Sequence, residues 1–142
     1  MRKTITRTRL RSMSEQVHDE LIGLTQQLLD CISDGNWEAY QNLCHSSLTC
    51  FEPEARGQLV EGMRFHKFYF DLGGHLGSHQ STIVSPQVRL LGDEAAVVSY
   101  VRLVQLVDDK GRPLTEAFEE TRIWHRQDGR WLHVHFHRSR ST

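Results

Sequence analysis

A set of apolar residues near the start of the chain recurs every three or four positions, which is the spacing of one helix face. They are Val17, Leu21, Leu24, Leu28 and Ile32. Ser12 and Glu15 have the S-x-x-E spacing of a capping box, so the helix is predicted to begin near residue 12. Gly35 accepts the left-handed conformation that follows a last helical turn, so the helix is predicted to end there.

The next segment carries shorter apolar clusters. A second helix is predicted from Asn36, and residues 48–51 have the composition of a brief strand that ends before Pro53. Residues 63–70 form an aromatic-rich stretch with helical character. The first half of the chain is therefore predicted to be mainly helical.

The second half alternates apolar and polar residues in four stretches separated by Gly and Asp turns, the pattern of consecutive hairpins. The predicted strands cover about residues 80–91, 94–107, 115–126 and 130–138. Helices followed by a meander predict an α+β fold, with the long N-terminal helix packed on a curved antiparallel sheet. A chain of 142 residues has room for one domain, which we place at residues 13–140.

Residues 1–12 precede this domain and are strongly basic, with no acidic residue. The basic residues are Arg2, Lys3, Arg7, Arg9 and Arg11. Such a run is typical of a solvated, disordered tail, which is what we predict here. It also occurs in transit peptides, although this one is short, and in arms that bind polyanions or dock on proteins. The sequence does not decide among these three.

Composition excludes several kinds of partner. The net charge of −1 and a pI near 6.7 give no electrostatic footprint for nucleic acid or an acidic membrane, so neither is expected as a partner. No apolar run approaches the roughly 18 residues that suggest a membrane span. Cys31, Cys44 and Cys50 show neither pairing nor CxxC spacing, which favours thiols in a reducing compartment and hence a cytoplasmic protein.

Side chains alternate across a strand, so odd and even positions face opposite sides of the sheet. Each of the last three strands places one arginine among its large apolar residues. These are Arg102, Arg122 and Arg138. A buried guanidinium needs a partner, and two readings are open. Either Glu116, Glu120 or Glu61 completes a buried ion network, or the guanidinium groups line a pocket for the carboxylate of a small acid or peptide.

The histidines of the last strand suggest a metal, but parity argues against it. His133, His135 and His137 fall on the face opposite Phe136, so we expect them on a polar outer face and predict neither a metal nor a cofactor. His66 lies among aromatic residues and is predicted to border a cavity. Acidic pairs such as Glu52/Glu54 are expected to be solvated. Nucleophile and phosphate-loop motifs are absent from the sequence.

Long ordered stretches of the chain resemble a known family. They are DGNWEAY (34–40), FEPEA (51–55), LVEGM (59–63), FHKFYF (65–70), EETRIWHR (119–126), DGRW (128–131) and VHFHRS (134–139). Over about residues 14–140 the sequence resembles the association (hub) domain of calcium/calmodulin-dependent protein kinase II. The resemblance implies an NTF2-like cone that assembles with copies of itself into two stacked rings of twelve or more subunits.

The resemblance also implies a ligand pocket, formed by His66, Arg102, Arg122 and Arg138, that binds small carboxylates related to γ-hydroxybutyrate. Hub domains of a related kinase are further implied partners. The loop from Leu72 to His79 is shorter than is typical of the family and lacks the tryptophan that some relatives carry there, so a role as lid is not assigned. Kinase motifs are absent, which predicts a non-catalytic chain. The basic start favours a free-standing hub protein over a piece of a kinase.

Three functions follow in order. The first is an oligomerisation hub. Candidates for its contacts are the aromatics of residues 65–70 and the outer-facing Val101, Leu103 and Val107, which could instead complete the core of the monomer. The second is an isomerase- or hydratase-type enzyme in the cone, with Glu120, Glu61 or His66 as base. The third is a sensor of small carboxylates that alters assembly.

Overall fold

The fold is built from three α-helices and six strands within residues 11–73 and 79–141, the parts of the chain that this computed structural model describes. The elements are α1 (Met13–Asp34), α2 (Trp37–Leu43), β1 (Cys44–Phe51), a 3₁₀ turn (Pro53–Ala55), β2 (Val60–Glu61), α3 (Arg64–Leu72), β3 (His79–Leu91), β4 (Ala95–Val107), β5 (Pro113–Gln127) and β6 (Arg130–Arg140). The predicted basic tail and the loop after Leu72 lie largely outside the described residues.

Both predicted ends of α1 are confirmed by their capping geometry. The Ser12 side chain accepts a hydrogen bond from the backbone N–H of Glu15 at 3.2 Å, which satisfies one of the unpaired donors of the first turn. Gly35 has φ 68°, and its N–H donates to the carbonyl of Ile32. A residue with a Cβ would be strained in that left-handed conformation, so glycine ends the helix here.

The α+β fold class is confirmed, and the sheet is mixed because one parallel pair joins the predicted antiparallel strands. Its order is β2-β1-β6-β5-β4-β3, and β3 to β6 form the predicted antiparallel meander. However, β1 runs parallel to β6. Strand direction is not encoded in a hydrophobic pattern, because a strand that arrives from a distant part of the chain can join an edge in either direction. The two-residue β2 is too short to show any alternation.

Helix α1 lies across the inner face of this curved sheet and forms the centre of the core. Leu21, Leu28 and Leu29 are fully buried, and the indole N–H of Trp124 in β5 donates to Thr25 Oγ1 at 3.2 Å. The bond satisfies a donor that would otherwise be costly to bury. Within the described residues, no helix is both long and apolar enough to cross a membrane.

A one-residue bulge in β6 overturns the predicted position of His133. Trp124 pairs with His133, whereas the preceding residue of β5, Ile123, pairs with His135, so Val134 has no partner of its own. An extra residue reverses the side-chain alternation beyond it. His133 therefore points inward and is fully buried, not on the outer face as parity alone predicted.

Candidate functional site

The four residues assigned to the pocket converge on one interior cavity of about 370 Å³. Arg102 comes from β4, Arg122 from β5 and Arg138 from β6, and helix α3 supplies His66. The strands place these side chains on the inner face because alternate positions share one face. Helix and sheet thus bring together groups that are up to 72 positions apart in the sequence, between His66 and Arg138.

Glu120 is the centre of the charged network inside this cavity. Its Oε1 accepts hydrogen bonds from Arg122 Nη2 at 2.8 Å and from the Tyr100 hydroxyl at 2.6 Å. Its Oε2 accepts one from Arg102 Nη1 at 3.2 Å, and Arg102 Nε donates to Ser81 Oγ at 2.8 Å. The buried ion network that the sequence left open is therefore present, and Glu120 is the carboxylate that forms it.

All three nitrogens of the Arg122 guanidinium have a partner in the interior. Its Nε donates to the Tyr100 hydroxyl oxygen at 2.7 Å, and its Nη1 lies 3.5 Å from His133 Nε2. The guanidinium carbon also lies 4.5 Å from the centre of the Phe136 ring, a cation–π contact. With 1% of its side chain exposed, Arg122 uses each of its three nitrogens in the interior network.

Arg138 occupies a more open position with different partners. Its Nη2 contacts the carboxylates of Glu52, at 3.5 Å, and Glu54, and its guanidinium carbon lies 4.8 Å from the centre of the Phe118 ring. The prediction that the Glu52/Glu54 pair is solvated is wrong for Glu52, whose side chain is 9% exposed. Parity could not reveal this, because both glutamates come from the turn after β1.

The two other glutamates proposed for the network lie elsewhere. Glu116 pairs with Arg140 at 3.8 Å near the cavity mouth, and no ion pair of Glu61 is found among the described residues, where Glu61 is exposed. Tyr100, which was not predicted as a site residue, links Glu120 to Arg122. Its place between Val98 and Arg102 on the same strand face was the signal that could have identified it.

The network also sets the protonation of its members. Burial alone would raise the pKa of Glu120, but the adjacent Arg122 and Arg102 outweigh it and hold that pKa at about 2. Burial would lower the pKa of Arg122, and the neighbouring Tyr100 and Glu120 reverse this and raise it. The carboxylate and the guanidinium groups are therefore charged at neutral pH, and Glu120 is a poor proton acceptor.

His66 is neutral at the same pH. Burial, reinforced by the positive charge of Arg122, lowers its pKa to about 4. Its Nδ1 lies 3.7 Å from Glu52 Oε1, and its Nε2 lies 3.8 Å from the Cys50 sulfur. Burial also raises the pKa of the Cys50 thiol to about 12, so this sulfur is protonated and is not a nucleophile.

Cys50, Glu52 and His66 carry ligand types that zinc accepts, and these atoms lie within 4.8 Å of one another. Ligand atoms of one tetrahedral zinc ion lie about 3.3–3.8 Å apart for bonds of 2.0–2.3 Å. Moreover, the two ring nitrogens of His66 face different partners, so a single ion cannot replace both contacts. The arrangement fits a structural cluster of buried polar groups better than a metal centre.

The three histidines of β6 do not converge either. The bulge turns His133 inward, while His135 and His137 stay on the outer face, where their rings lie 6.3 and 5.6 Å from that of Phe51. His135 Nδ1 is 2.7 Å from Thr49 Oγ1. The outer placement predicted for His135 and His137 is thus confirmed.

Replacing Glu120 with Gln is expected to destabilise the protein strongly. The amide cannot neutralise Arg102 and Arg122, and breaking a buried ion pair from one side costs about 3–5 kcal/mol. Urea unfolding at fixed protein concentration measures the loss. The matched control Glu119→Gln changes an exposed residue of the same strand and is expected to stay within about 0.5 kcal/mol. Equal effects of the two substitutions would contradict the central role of Glu120.

Stability is expected to rise between pH 4 and pH 6.5, in part because of His66. In this range the unfolded chain binds a proton at His66, whose ordinary pKa is 6.5, and the folded chain does not. The folded state therefore gains up to about 3 kcal/mol over the range. Denaturant unfolding as a function of pH should give a smaller slope for His66→Gln. The exposed His137→Gln should keep the wild-type slope, and a His66→Gln profile identical to wild type would refute the assignment.

Comparison with known proteins places this geometry in a family. The family model described as the calcium/calmodulin-dependent protein kinase II association domain matches residues 17–142. The alpha chain of the type II kinase from Drosophila melanogaster is 50% identical over 125 residues, which cover 87% of this chain and 24% of the relative. The chain therefore spans about a quarter of that protein. The match is to the association domain, which confirms that this chain is not itself the kinase.

Solved structures agree. The hub homology domain of this kinase from Chlamydomonas reinhardtii is 45% identical, with a TM-score of 0.83, and the match covers 89% of this chain and 98% of that domain. An NTF2-like superfamily protein from Salmonella enterica, 18% identical, has a TM-score of 0.74 over 91% of this chain and 94% of its own, and shows the fold alone. The chain belongs to the calcium/calmodulin-dependent protein kinase II association-domain family and has an NTF2-like α+β fold.

Proposed function

We propose that this chain is an oligomerisation hub that assembles with copies of itself into two stacked rings of about twelve or more subunits. A closed ring needs a lateral contact between unlike surfaces, and stacking needs a second contact that pairs identical surfaces. Membership of the association-domain family supports the proposal. The observation on this structure that carries it is an uncovered apolar surface on α3.

Helix α3 buries only one of its residues and exposes large apolar ones. His66 is its buried residue, whereas Phe68 is 60% exposed, Leu72 44% and Tyr69 36%. The Phe68 and Tyr69 rings pack edge to face at 5.2 Å, which makes a contiguous aromatic surface. Contiguous apolar patches of this kind mark protein interfaces, and aromatic residues are enriched there. The proposal places one subunit contact on this surface.

The outer face of the sheet is the second candidate contact. Val101 and Leu103 on β4 are half-buried there, Val107 is 59% exposed, and Phe51 of β1 is 38% exposed beside His135. Sheets that pack face to face bury such alternating residues. Two separate apolar surfaces satisfy the need of a stacked ring for two kinds of contact. Hub domains of a related kinase, with similar surfaces, are proposed as further partners in mixed rings.

The cavity supports a second, subordinate function, the binding of small carboxylates. Arg138 is the guanidinium best placed for it, since its partner Glu54 has a side chain 37% exposed and can yield to a ligand carboxylate. Arg102 lies deeper in the same cavity and uses Nε and Nη1 for Ser81 and Glu120. The neutral His66 can accept a hydrogen bond from a ligand hydroxyl. A more specific form of this proposal is that the chain acts as a sensor, in which carboxylate binding alters the assembly of subunits.

The cavity offers little support for an enzyme. Glu120 is held ionised by two arginines, and His66 has its pKa lowered to about 4, so neither is matched to proton transfer near neutral pH. Glu61 is exposed and does not line the cavity. The three free cysteines, all buried, support placing the hub in the reducing cytoplasm.

The assembly is expected to break when the surface of α3 is charged. Phe68→Asp buries a carboxylate in the proposed contact, and the native mass should fall from about twelve or more subunits of 16.5 kDa to a small species. Light scattering at micromolar concentration measures the mass. The control Leu91→Asp changes a residue that is 53% exposed at the β3–β4 turn and should leave the mass unchanged. A wild-type chain that is monomeric or dimeric would exclude the hub.

Carboxylate binding is tested separately with 4-hydroxybutyrate and the uncharged 1,4-butanediol. At a concentration ten times the dissociation constant, the acid should raise the melting midpoint by about 3 °C and the diol should not. Arg138→Gln should abolish the shift, while the exposed Arg89→Gln should preserve it. A shift that survives Arg138→Gln, or that the diol reproduces, would refute the assigned site.

A further inference from the structure

The inner face of the sheet carries a second guanidinium close to that of Arg138. Arg140 is the last residue of β6, two positions beyond Arg138, so both side chains project from the same face of the strand. In the register of the sheet, Arg140 is paired with Phe118 of β5. The N–H of Ser141 donates to the carbonyl oxygen of Ala117 at 3.0 Å, which holds this end of the strand in place. Arg138, Arg140 and Phe118 all line the cavity of about 370 Å³.

Both guanidinium groups contact the ring of Phe118. The guanidinium carbon of Arg138 lies 4.8 Å from the ring centre, and that of Arg140 lies 5.4 Å from it. Both distances are within the range of a cation–π contact. Because both end at one ring, the two guanidinium carbons are no further apart than the sum of these distances, about 10 Å. Phe118 therefore holds two positive charges within reach of one small molecule.

Arg140 is only loosely bound to its own partner. Its Nη1 lies 3.8 Å from Glu116 Oε2, which is beyond hydrogen-bond distance. Within the described residues, the Arg140 guanidinium donates no hydrogen bond. The side chains of Arg140 and Glu116 are 65% and 32% exposed, so water can solvate both groups when they separate. Arg140 can therefore offer its N–H donors to a ligand oxygen.

Arg138 can also release one of its partners. Its Nη2 contacts two carboxylates, that of Glu54, whose side chain is 37% exposed, and that of Glu52, whose side chain is 9% exposed. Glu54 can turn into the solvent, whereas Glu52 is confined to the interior. The cavity mouth thus has two guanidinium groups, and each is paired with a carboxylate that water can take over.

Apolar side chains lie on the strand next to these two arginines. Val104 of β4 is paired with Glu116 in the register of the sheet, and Leu106 lies two residues further along the same strand face. Both residues line the cavity, as Phe118 does. A molecule between the two guanidinium groups would therefore meet an apolar wall between its charged ends. This arrangement favours a short methylene chain with an anion at each end.

We propose that the cavity mouth binds a small dicarboxylate, with one carboxylate on Arg138 and the other on Arg140. The inference rests on the carboxylate site proposed at Arg138, and it names the class of ligand for that site. Guanidinium groups bind carboxylates through paired N–H···O bonds, and a monocarboxylate can make such a pair with only one of the two. The carboxyl carbons of glutarate are four C–C bonds apart and span about 5 Å, within the largest separation of the guanidinium carbons.

Calorimetric titration with glutarate and 5-hydroxypentanoate at constant ionic strength tests the proposal. Both acids have five carbons, and the second has a hydroxyl in place of one carboxylate. Glutarate should bind the wild-type chain about fivefold more tightly, the upper end for an ion pair with an exposed arginine. Arg140→Gln should weaken glutarate to the affinity of 5-hydroxypentanoate and leave the latter unchanged. Arg89→Gln, at an exposed position of β3, should change neither affinity.

Glu116→Gln should have the opposite effect. The substitution removes the carboxylate that competes for Arg140, so glutarate should bind about twofold more tightly and 5-hydroxypentanoate should bind as before. The matched control Glu119→Gln changes an exposed carboxylate on the other face of the same strand. At an ionic strength of about 0.15 M its charge is screened from the cavity, so it should alter neither affinity.

The dicarboxylate inference and the carboxylate site fail in different ways. Equal affinities for the two acids, dependent on Arg138 but not on Arg140, would overturn the inference and leave the carboxylate site in place. An Arg140→Gln chain that binds both acids more weakly would also overturn it, because Arg140 would then shape the cavity instead of binding the second carboxylate. A wild-type chain that binds neither acid would overturn both proposals.

Discussion

The interior of this protein depends on one carboxylate. Glu120 forms ion pairs with Arg122 at 2.8 Å and with Arg102 at 3.2 Å. Among the described residues, no other carboxylate contacts both of these guanidinium groups. Without Glu120, the two buried guanidinium groups would carry an uncompensated desolvation penalty. The hydroxyl of Tyr100, which donates to Glu120 and accepts from Arg122, fixes the geometry further. A buried polar network whose members are hydrogen-bonded to one another rigidifies the core around it, and here that network lines the cavity.

Much of the fold and part of this network follow from the sequence. Periodicity and capping residues located α1, and alternation located β3 to β6 and put three arginines on the inner face, since these signals are local. Apart from Tyr100 on β4, the contacts that the sequence analysis missed are made by irregular backbone. Glu52 reaches Arg138 and His66 from a turn, and a single unpaired residue at Val134 turns His133 inward. Neither the direction of a turn nor a bulge produces a periodic pattern of apolar residues in the sequence. The parallel pairing of β1 with β6 depends on packing between distant parts of the chain.

The inner and outer surfaces of the domain differ in chemistry: the cavity contains paired charges, and α3 exposes apolar residues. Inside, the arginines Arg102, Arg122 and Arg138 meet glutamates within the same cavity, so charge there is balanced before any ligand arrives. A ligand carboxylate must therefore displace an internal partner, and the site at which that costs least is Arg138, whose partner Glu54 is partly solvated. On the outside, α3 exposes Phe68 and Tyr69. Among the described residues, these two rings pack only on each other and on Phe65 of the same helix. The proposed assembly surface and the proposed ligand site therefore adjoin each other on α3, where Tyr69 belongs to the exposed surface and also lines the cavity.

Helix α1 belongs to both the core and the outer surface, because its two faces have different surroundings. Its apolar face carries the core against Trp124, and its acidic face lies in water beside a groove at Arg130 and Trp131. Five carboxylates on one helix with no lysine or arginine make a surface that repels a second copy of itself. The contacts proposed between subunits use the apolar surfaces of α3 and of the outer sheet instead.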